Sequence, residues 1–160
     1  MFTKLLVPLD GSEIAAKILP KVVELAKCNQ AKVTLFHVCQ RGILPSKAAE
    51  AREEKFCSIF LATAGKDLQD QGLEVDSICV DGVPAREIMA FAQDKGYDLI
   101  VLGTHGAGTV AWYLGGVAEK VVSRSAVPVL LVRTLEFKAP PLKEGFSAAP
   151  GIDLPTDPRA

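Results

Sequence analysis

The sequence predicts an α/β protein built on a doubly wound, five-stranded parallel sheet with helices on both faces. Short apolar runs alternate with helical stripes in the order βαβαβαβαβ. Asp98–Leu102 is almost continuously apolar, as a strand covered on both faces must be. Parallel strands joined by helices settle on both faces of one sheet, because each crossover is right-handed.

The elements follow in order. Lys4-Leu5-Leu6-Val7-Pro8-Leu9 reads as the first strand and stops at Asp10-Gly11-Ser12, a turn that also suits a helix cap. Ile14, Ile18, Val22 and Leu25, with Ala15, Leu19 and Ala26, give a helical stripe. β-Branched and aromatic residues mark Lys32–Val38 as the second strand. From Ser46 to about Gln71 the chain is rich in Ala, Glu, Lys and Leu, with Phe56, Ile59, Phe60 and Leu68 on one face. A long helix is expected there, ending at Gly72. Leu73–Val80 alternates with period two, the mark of a half-buried strand near a sheet edge. Pro84 opens the next helix, Ile88, Met89, Phe91 and Ala92 supply its apolar face, and Gly96 ends it. After the fourth strand, Asp98–Leu102, comes a glycine-rich stretch, then a helix to about Arg124 and a last strand, Val127–Val132.

Composition narrows the function classes. At 160 residues, with about half of them apolar, the chain suits one domain with a real core. A net charge of −1 leaves no basic footprint for nucleic acid or an anionic membrane. No apolar run is long enough to span a bilayer, and no secretory signal opens the chain, so a cytoplasmic protein is expected. Cys28, Cys39, Cys57 and Cys79 are spread singly and are expected to be buried, reduced thiols. No metal site is expected. The organised domain is expected over residues 1–134. Residues 135–160 hold five of the ten prolines and are expected to form an irregular tail.

In such sheets ligands bind where strands end at their carboxyl side, near the point where strand order reverses. Asp10, His37–Cys39 and Gly103–Gly106 all lie at such ends. The stretch Gly103-Thr104-His105-Gly106-Ala107-Gly108, followed by Gly115-Gly116-Val117-Ala118-Glu119-Lys120, reads as strand, glycine loop and helix N-terminus. Glycines let the backbone approach an anion, and a helix N-terminus offers unpaired N–H groups and a positive dipole end. This is the candidate phosphate cradle. Asp10 either meets a ribose or base edge or caps the turn with Ser12; the residues alone leave both open. His37 and His105 lack an evident nucleophile or metal partner and read as packing or ligand-contact residues. Trp112, Tyr113 and Leu114 read as packing residues or as a flap over the pocket. Gly106-Ala107-Gly108-Thr109-Val110-Ala111 matches a dinucleotide fingerprint in letters, but it follows the wrong strand and lacks the acidic residue some twenty positions on. A phosphoryl-accepting receiver domain would use Asp10 and Asp81, but it needs a second acidic residue beside Asp10 and a lysine after the last strand, where Val132-Arg133-Thr134 stands.

Over about Lys4–Arg133 the chain resembles the universal stress protein family. The resemblance rests on Leu6-Val7-Pro8-Leu9-Asp10-Gly11-Ser12, Thr34-Leu35-Phe36-His37-Val38, Asp98–Gly106, Gly116–Val122 and Ala126–Val132, in that order. It implies a flavodoxin-like, Rossmann-like fold. It also implies a stress-response module that binds an adenine nucleotide, ATP or AMP, with any Mg²⁺ carried by the phosphates. Such a module acts by binding and signalling rather than as an enzyme. The family usually dimerises through its last strand, here Val129–Val132, which otherwise would be a bare apolar edge. The nucleotide contacts implied are Pro8, Asp10, Val38, Leu102, Gly103, His105, Gly106, Gly115, Gly116 and Val117.

The sequence departs from the family's G-x2-G-x9-G-[S/T] pattern. Counted from Gly106, the third glycine is Gly116 and Val117 replaces the hydroxyl residue. Aligned on Val117-Ala118-Glu119, Gly115 is the third glycine, Gly116 takes the hydroxyl position and the loop is one residue short. The second register keeps the helix face in phase and is preferred. The basic residue that often follows the second glycine is Ala107 here. A lost hydrogen bond to a charged phosphate costs roughly 1.5–3 kcal/mol. The alternative function is therefore a family member that binds no nucleotide and acts as a protein-interaction dimer.

Overall fold

The computed structural model describes residues 1–40, 47–105 and 114–135. The elements are β1 (Lys4–Pro8), α1 (Glu13–Ala16), α2 (Leu19–Asn29), β2 (Lys32–Cys39), α3 (Lys47–Gln69), β3 (Val75–Asp81), α4 (Pro84–Asp94), β4 (Leu99–Gly103), α5 (Gly116–Arg124) and β5 (Val129–Val132). The five strands form one parallel sheet in the order β3-β2-β1-β4-β5. Strand order reverses at β1, which lies between β2 and β4. The tail beyond residue 135, together with Gly106, Ala107, Gly108, Thr109, Trp112 and Tyr113, lies outside the described residues.

Two cores cover the sheet. Leu5, Val7, Val33, Leu35 and Val101 pack with Ile18, Val22, Ala26, Leu61 and Leu68 on the α1–α3 face. Leu6, Phe36, Ile100 and Leu102 pack with Ala85, Ile88, Ala92 and Val121 on the α4–α5 face. The alternation of Leu5 and Leu6, or Leu35 and Phe36, between the two sets is the period-two geometry of a strand buried on both sides. One buried hydroxyl in this interior, Thr34, is satisfied by Tyr97, whose O–H donates to Thr34 Oγ1 over 2.9 Å.

The single stripe expected after Ser12 is two helices. Pro20 has no N–H and its ring excludes the carbonyl one turn back, so α1 stops at Ala16 and Pro20 falls in the first turn of α2. In α3 the buried stripe is Cys57, Leu61, Ala64 and Leu68, not the face expected from Phe56 and Ile59, which are 51% and 56% exposed. Phe56 instead stacks on Phe60, and both meet the edge of His37.

The cysteine expectation is corrected. Cys57 and Cys79 form a disulfide between α3 and β3, and Cys28 is exposed; only Cys39 is a buried thiol. The two bonded residues are 22 apart in sequence but 6.6 Å apart between Cα atoms, because α3 folds back over the strand that follows it. Closing a loop of that size stabilises the fold by about 3 kcal/mol through unfolded-state entropy.

At the amino end of the sheet Asp98 ties β4 to β1. Its carboxylate accepts from Thr3 N (2.7 Å), Thr3 Oγ1 (2.9 Å) and Lys4 N (3.1 Å). Partial burial works to raise its pKa, but the hydrogen bonds from Thr3 and Lys4 outweigh this and hold it below the ordinary 3.8. A carboxylate depressed in the folded state contributes stability above its unfolded pKa and loses it as pH falls through the folded value. Asp98→Asn is expected to lower stability at neutral pH by about 1–3 kcal/mol. It should also flatten the loss of stability below pH 3.8, which urea titrations at a series of pH values would show.

Candidate nucleotide-type cleft at the strand-order reversal

The β1–β2 ladder runs from Lys4↔Lys32 to Pro8↔Phe36, whereas the β1–β4 ladder runs only over Leu5↔Leu99 and Leu6↔Ile100. Leu9 N donates to Phe36 O at 2.9 Å, so its amide points to β2. Alternate residues of a strand point their amides to opposite neighbours. Pro8 therefore faces β4 at the position where it has no hydrogen to give. The two central strands part there, and a cavity of about 390 Å³ lies at their carboxyl ends. That volume is within the range of small-molecule sites.

Each wall comes from a different element. β1 and the turn after it supply Pro8, Leu9 and Asp10. The end of β2 supplies Phe36, His37 and Val38, and the end of β4 supplies Leu102, Gly103, Thr104 and His105. The start of α5 supplies Gly115, Gly116, Val117 and Ala118. The structure thus brings together nine of the ten residues expected at the site: Pro8, Asp10, Val38, Leu102, Gly103, His105, Gly115, Gly116 and Val117. The tenth, Gly106, is outside the described residues. Among the lining residues that the sequence does not place at the site are Gln40, Glu53 and Pro84. Glu53 lies three residues before Phe56 and seven before Phe60, one helical face, so its direction was readable once those rings were placed. Gln40 and Pro84 adjoin the carboxyl ends of β2 and β3, where such sheets bind ligands.

Local chemistry sets the geometry. Asp10 serves the turn: its Oδ1 accepts from Ser12 N (2.9 Å) and Ser12 Oγ (2.6 Å), while Ser12 Oγ accepts from Ala15 N and caps α1. It also lines the cavity, so the two sequence readings are compatible. Gly11 between them has φ +83°, and a Cβ there would lie 2.7 Å from the Phe56 ring, so only glycine admits both the turn and the ring over it. At α5 the first intrahelical bond is Glu119 N to Gly115 O. The N–H groups of Gly116, Val117 and Ala118 precede the helical ladder, at the positive end of the dipole.

A hydroxyl network fixes His105. His105 N donates to Thr134 Oγ1 (3.2 Å), and Thr134 N donates to Thr104 Oγ1 (3.2 Å). Thr104 Oγ1 lies 2.8 Å from His105 Nδ1. A consistent assignment has Thr104 giving its proton to Nδ1, which places the ring proton on Nε2. His105 is 8% exposed, and Nε2 has no hydrogen-bond partner among the described residues. His37 is held differently, by Nδ1 against Leu9 O at 2.7 Å. Among the described residues no lysine or arginine lines the cavity; its charged groups are Asp10 and Glu53. An anion entering it would meet helix N–H groups rather than cationic side chains.

The family model for the universal stress protein family matches residues 1–133. The chain belongs to that family. The universal stress protein YxiE of Bacillus subtilis is 35% identical over 148 residues, covering 83% of this chain and all of YxiE. The solved structure of MJ0577, a universal stress protein of Methanocaldococcus jannaschii, superposes with a TM-score of 0.70 at 33% identity, covering 83% of this chain and 96% of that one. A universal stress protein crystallised in complex with cAMP matches at a TM-score of 0.69 and 24% identity, covering 84% and 99%, a likeness of fold alone.

Thr134→Val keeps the shape of the side chain but removes the acceptor for the buried His105 N–H. It is expected to cost about 1–3 kcal/mol, read from denaturant midpoints, with the fold retained.

Proposed function

We propose that this universal stress protein binds an adenine nucleotide, ATP or AMP, in the cleft between β1, β4 and the start of α5. The observation that carries the reading is the cavity itself. It combines an apolar floor (Leu9, Phe36, Val38, Leu102), two carboxylates and the amides that open a helix. The cAMP complex of a protein of the same fold adds support. The phosphates would lie at Gly115–Val117, where backbone donors replace the hydroxyl that the sequence lacks. Mg²⁺ would arrive with the phosphates and offset their charge beside Asp10 and Glu53. The chain has no G-x-x-x-x-G-K-[ST] motif. The proposed action is binding and conformational signalling in stress, not turnover.

Calorimetric titration with ATP, AMP and GTP in the presence of Mg²⁺ tests the reading. Micromolar binding of an adenine nucleotide, roughly −8 kcal/mol, is expected. Val117→Asp should weaken it at least tenfold, because a carboxylate there competes for the amides that would meet phosphate. The same substitution should leave stability unchanged or raised, as an acidic residue suits the first turn of a helix. Absence of binding at millimolar nucleotide overturns the proposal.

We further propose that two copies pair through β5, whatever the cleft holds. Among the described residues β5 pairs with β4 alone, and its Leu130 is 36% exposed. The opposite edge, β3, is guarded by charge: Lys32 reaches Glu74 (2.7 Å) and Asp76 (3.0 Å), and these carboxylates, Glu74 foremost, raise its pKa to about 12. Light scattering at micromolar concentration should give a dimer for the wild type and a monomer for Leu130→Lys. A monomeric wild type overturns this assembly.

A further inference from the structure

Behind the cleft, where β2, β3 and α3 meet, three sulfur atoms and one imidazole are gathered. One ring nitrogen of His37 and the sulfurs of Cys39 and Cys57 all lie within 4.8 Å of one another, and all three residues are buried. Cys79, across the ladder from His37, brings its sulfur within 3.3 Å of that of Cys39. We infer that, once the Cys57–Cys79 disulfide is reduced, His37, Cys39, Cys57 and Cys79 form a tetrahedral site for zinc.

The donor set is that of structural zinc centres, three thiolates and one imidazole. At a Zn–S distance of about 2.3 Å, neighbouring sulfurs of a tetrahedron stand about 3.8 Å apart. The donor atoms of His37, Cys39 and Cys57 are already within 4.8 Å of one another; the sulfur of Cys79, a residue on the exposed side of β3, is 3.3 Å from that of Cys39 and would turn inward to complete the set. His37 is prepared for the task. A carbonyl oxygen only accepts, so the contact to Leu9 O at 2.7 Å makes Nδ1 the protonated nitrogen and leaves the lone pair on Nε2. Ligating histidines are held in this way, by a backbone carbonyl on the other ring nitrogen. The rings of Phe56 and Phe60, each 6.5 Å from that of His37, supply an apolar wall.

The balance is simple. A dithiol reductant gives two electrons and two protons to the Cys57–Cys79 bond and is itself oxidised to a disulfide, leaving two cysteine thiols. Zinc then displaces three protons, one from each of Cys39, Cys57 and Cys79, and takes the Nε2 lone pair of neutral His37. Oxidation and metal binding are thereby alternatives at one place, since a sulfur in a disulfide is not a thiolate ligand. The inference stands on residues separate from the phosphate end of the cleft and does not require nucleotide.

The full chain, reduced with a phosphine and kept free of oxygen, is titrated with Co²⁺ as an optical substitute for zinc. One Co²⁺ per chain is expected, with thiolate-to-metal absorption and the intense visible bands of a tetrahedral site, both bleached by one equivalent of Zn²⁺. The disulfide form should show neither. Cys39→Ser should weaken Co²⁺ binding at least tenfold, while Cys28→Ser, at an exposed position, should leave it unchanged; circular dichroism confirms that each variant is folded. Reduced wild type without these bands overturns the site, as does Cys39→Ser binding Co²⁺ as tightly as wild type.

Discussion

The parting of β1 from β4 is the constraint on which the site depends. Both strands are buried on both faces and paired over Leu5–Leu6. They are drawn together at one end by the Asp98 carboxylate on Thr3 and Lys4. Pro8 removes a donor at the other end. A sheet clamped at its amino edge and released at its carboxyl edge opens in one direction only. That is where the turn after β1, the glycine end of β4 and the start of α5 converge. The cleft follows from backbone chemistry at one residue more than from any side chain that lines it.

The electrostatics of the cleft are unusual for a site that would hold phosphate. Among the described residues its acidic groups are side chains, and its complement to an anion is made of peptide dipoles. Dipoles fixed in a helix do not reorganise when a charge arrives, and they discriminate by position more than by total charge. His105 adds one oriented imidazole, held by Thr104 and Thr134 with Nε2 left without a partner among the described residues. Under the proposed nucleotide reading, recognition would depend on where the anion sits relative to the first turn of α5.

Much of this was legible in the sequence. Apolar runs gave the strands, and the period-two pattern of Leu73–Val80 placed β3 at an edge, where it lies. Their positions at the carboxyl ends of parallel strands are enough to bring Asp10, Val38, Gly103 and His105 to one cleft. What was not legible required contacts between distant residues. Nothing local to Cys57 or Cys79 shows that α3 lays one over the other. The face that α3 buries was misjudged because Phe56 and Ile59 are large and apolar, while the true stripe runs through the smaller Cys57 and Ala64. Phe56 was drawn away by the glycine turn it covers. Gln40, Glu53 and Pro84 entered the cleft through tertiary placement that propensity does not record.

Thr134 stands two residues beyond β5, and its backbone and hydroxyl hold Thr104 and His105, which wall the cleft. Thr104 N in turn donates to Val132 O, the last residue of that strand. The outermost strand of the sheet and the wall of the cavity are thus geared together through two threonines. The same four residues therefore belong to the edge of the sheet and to the wall of the cavity at once.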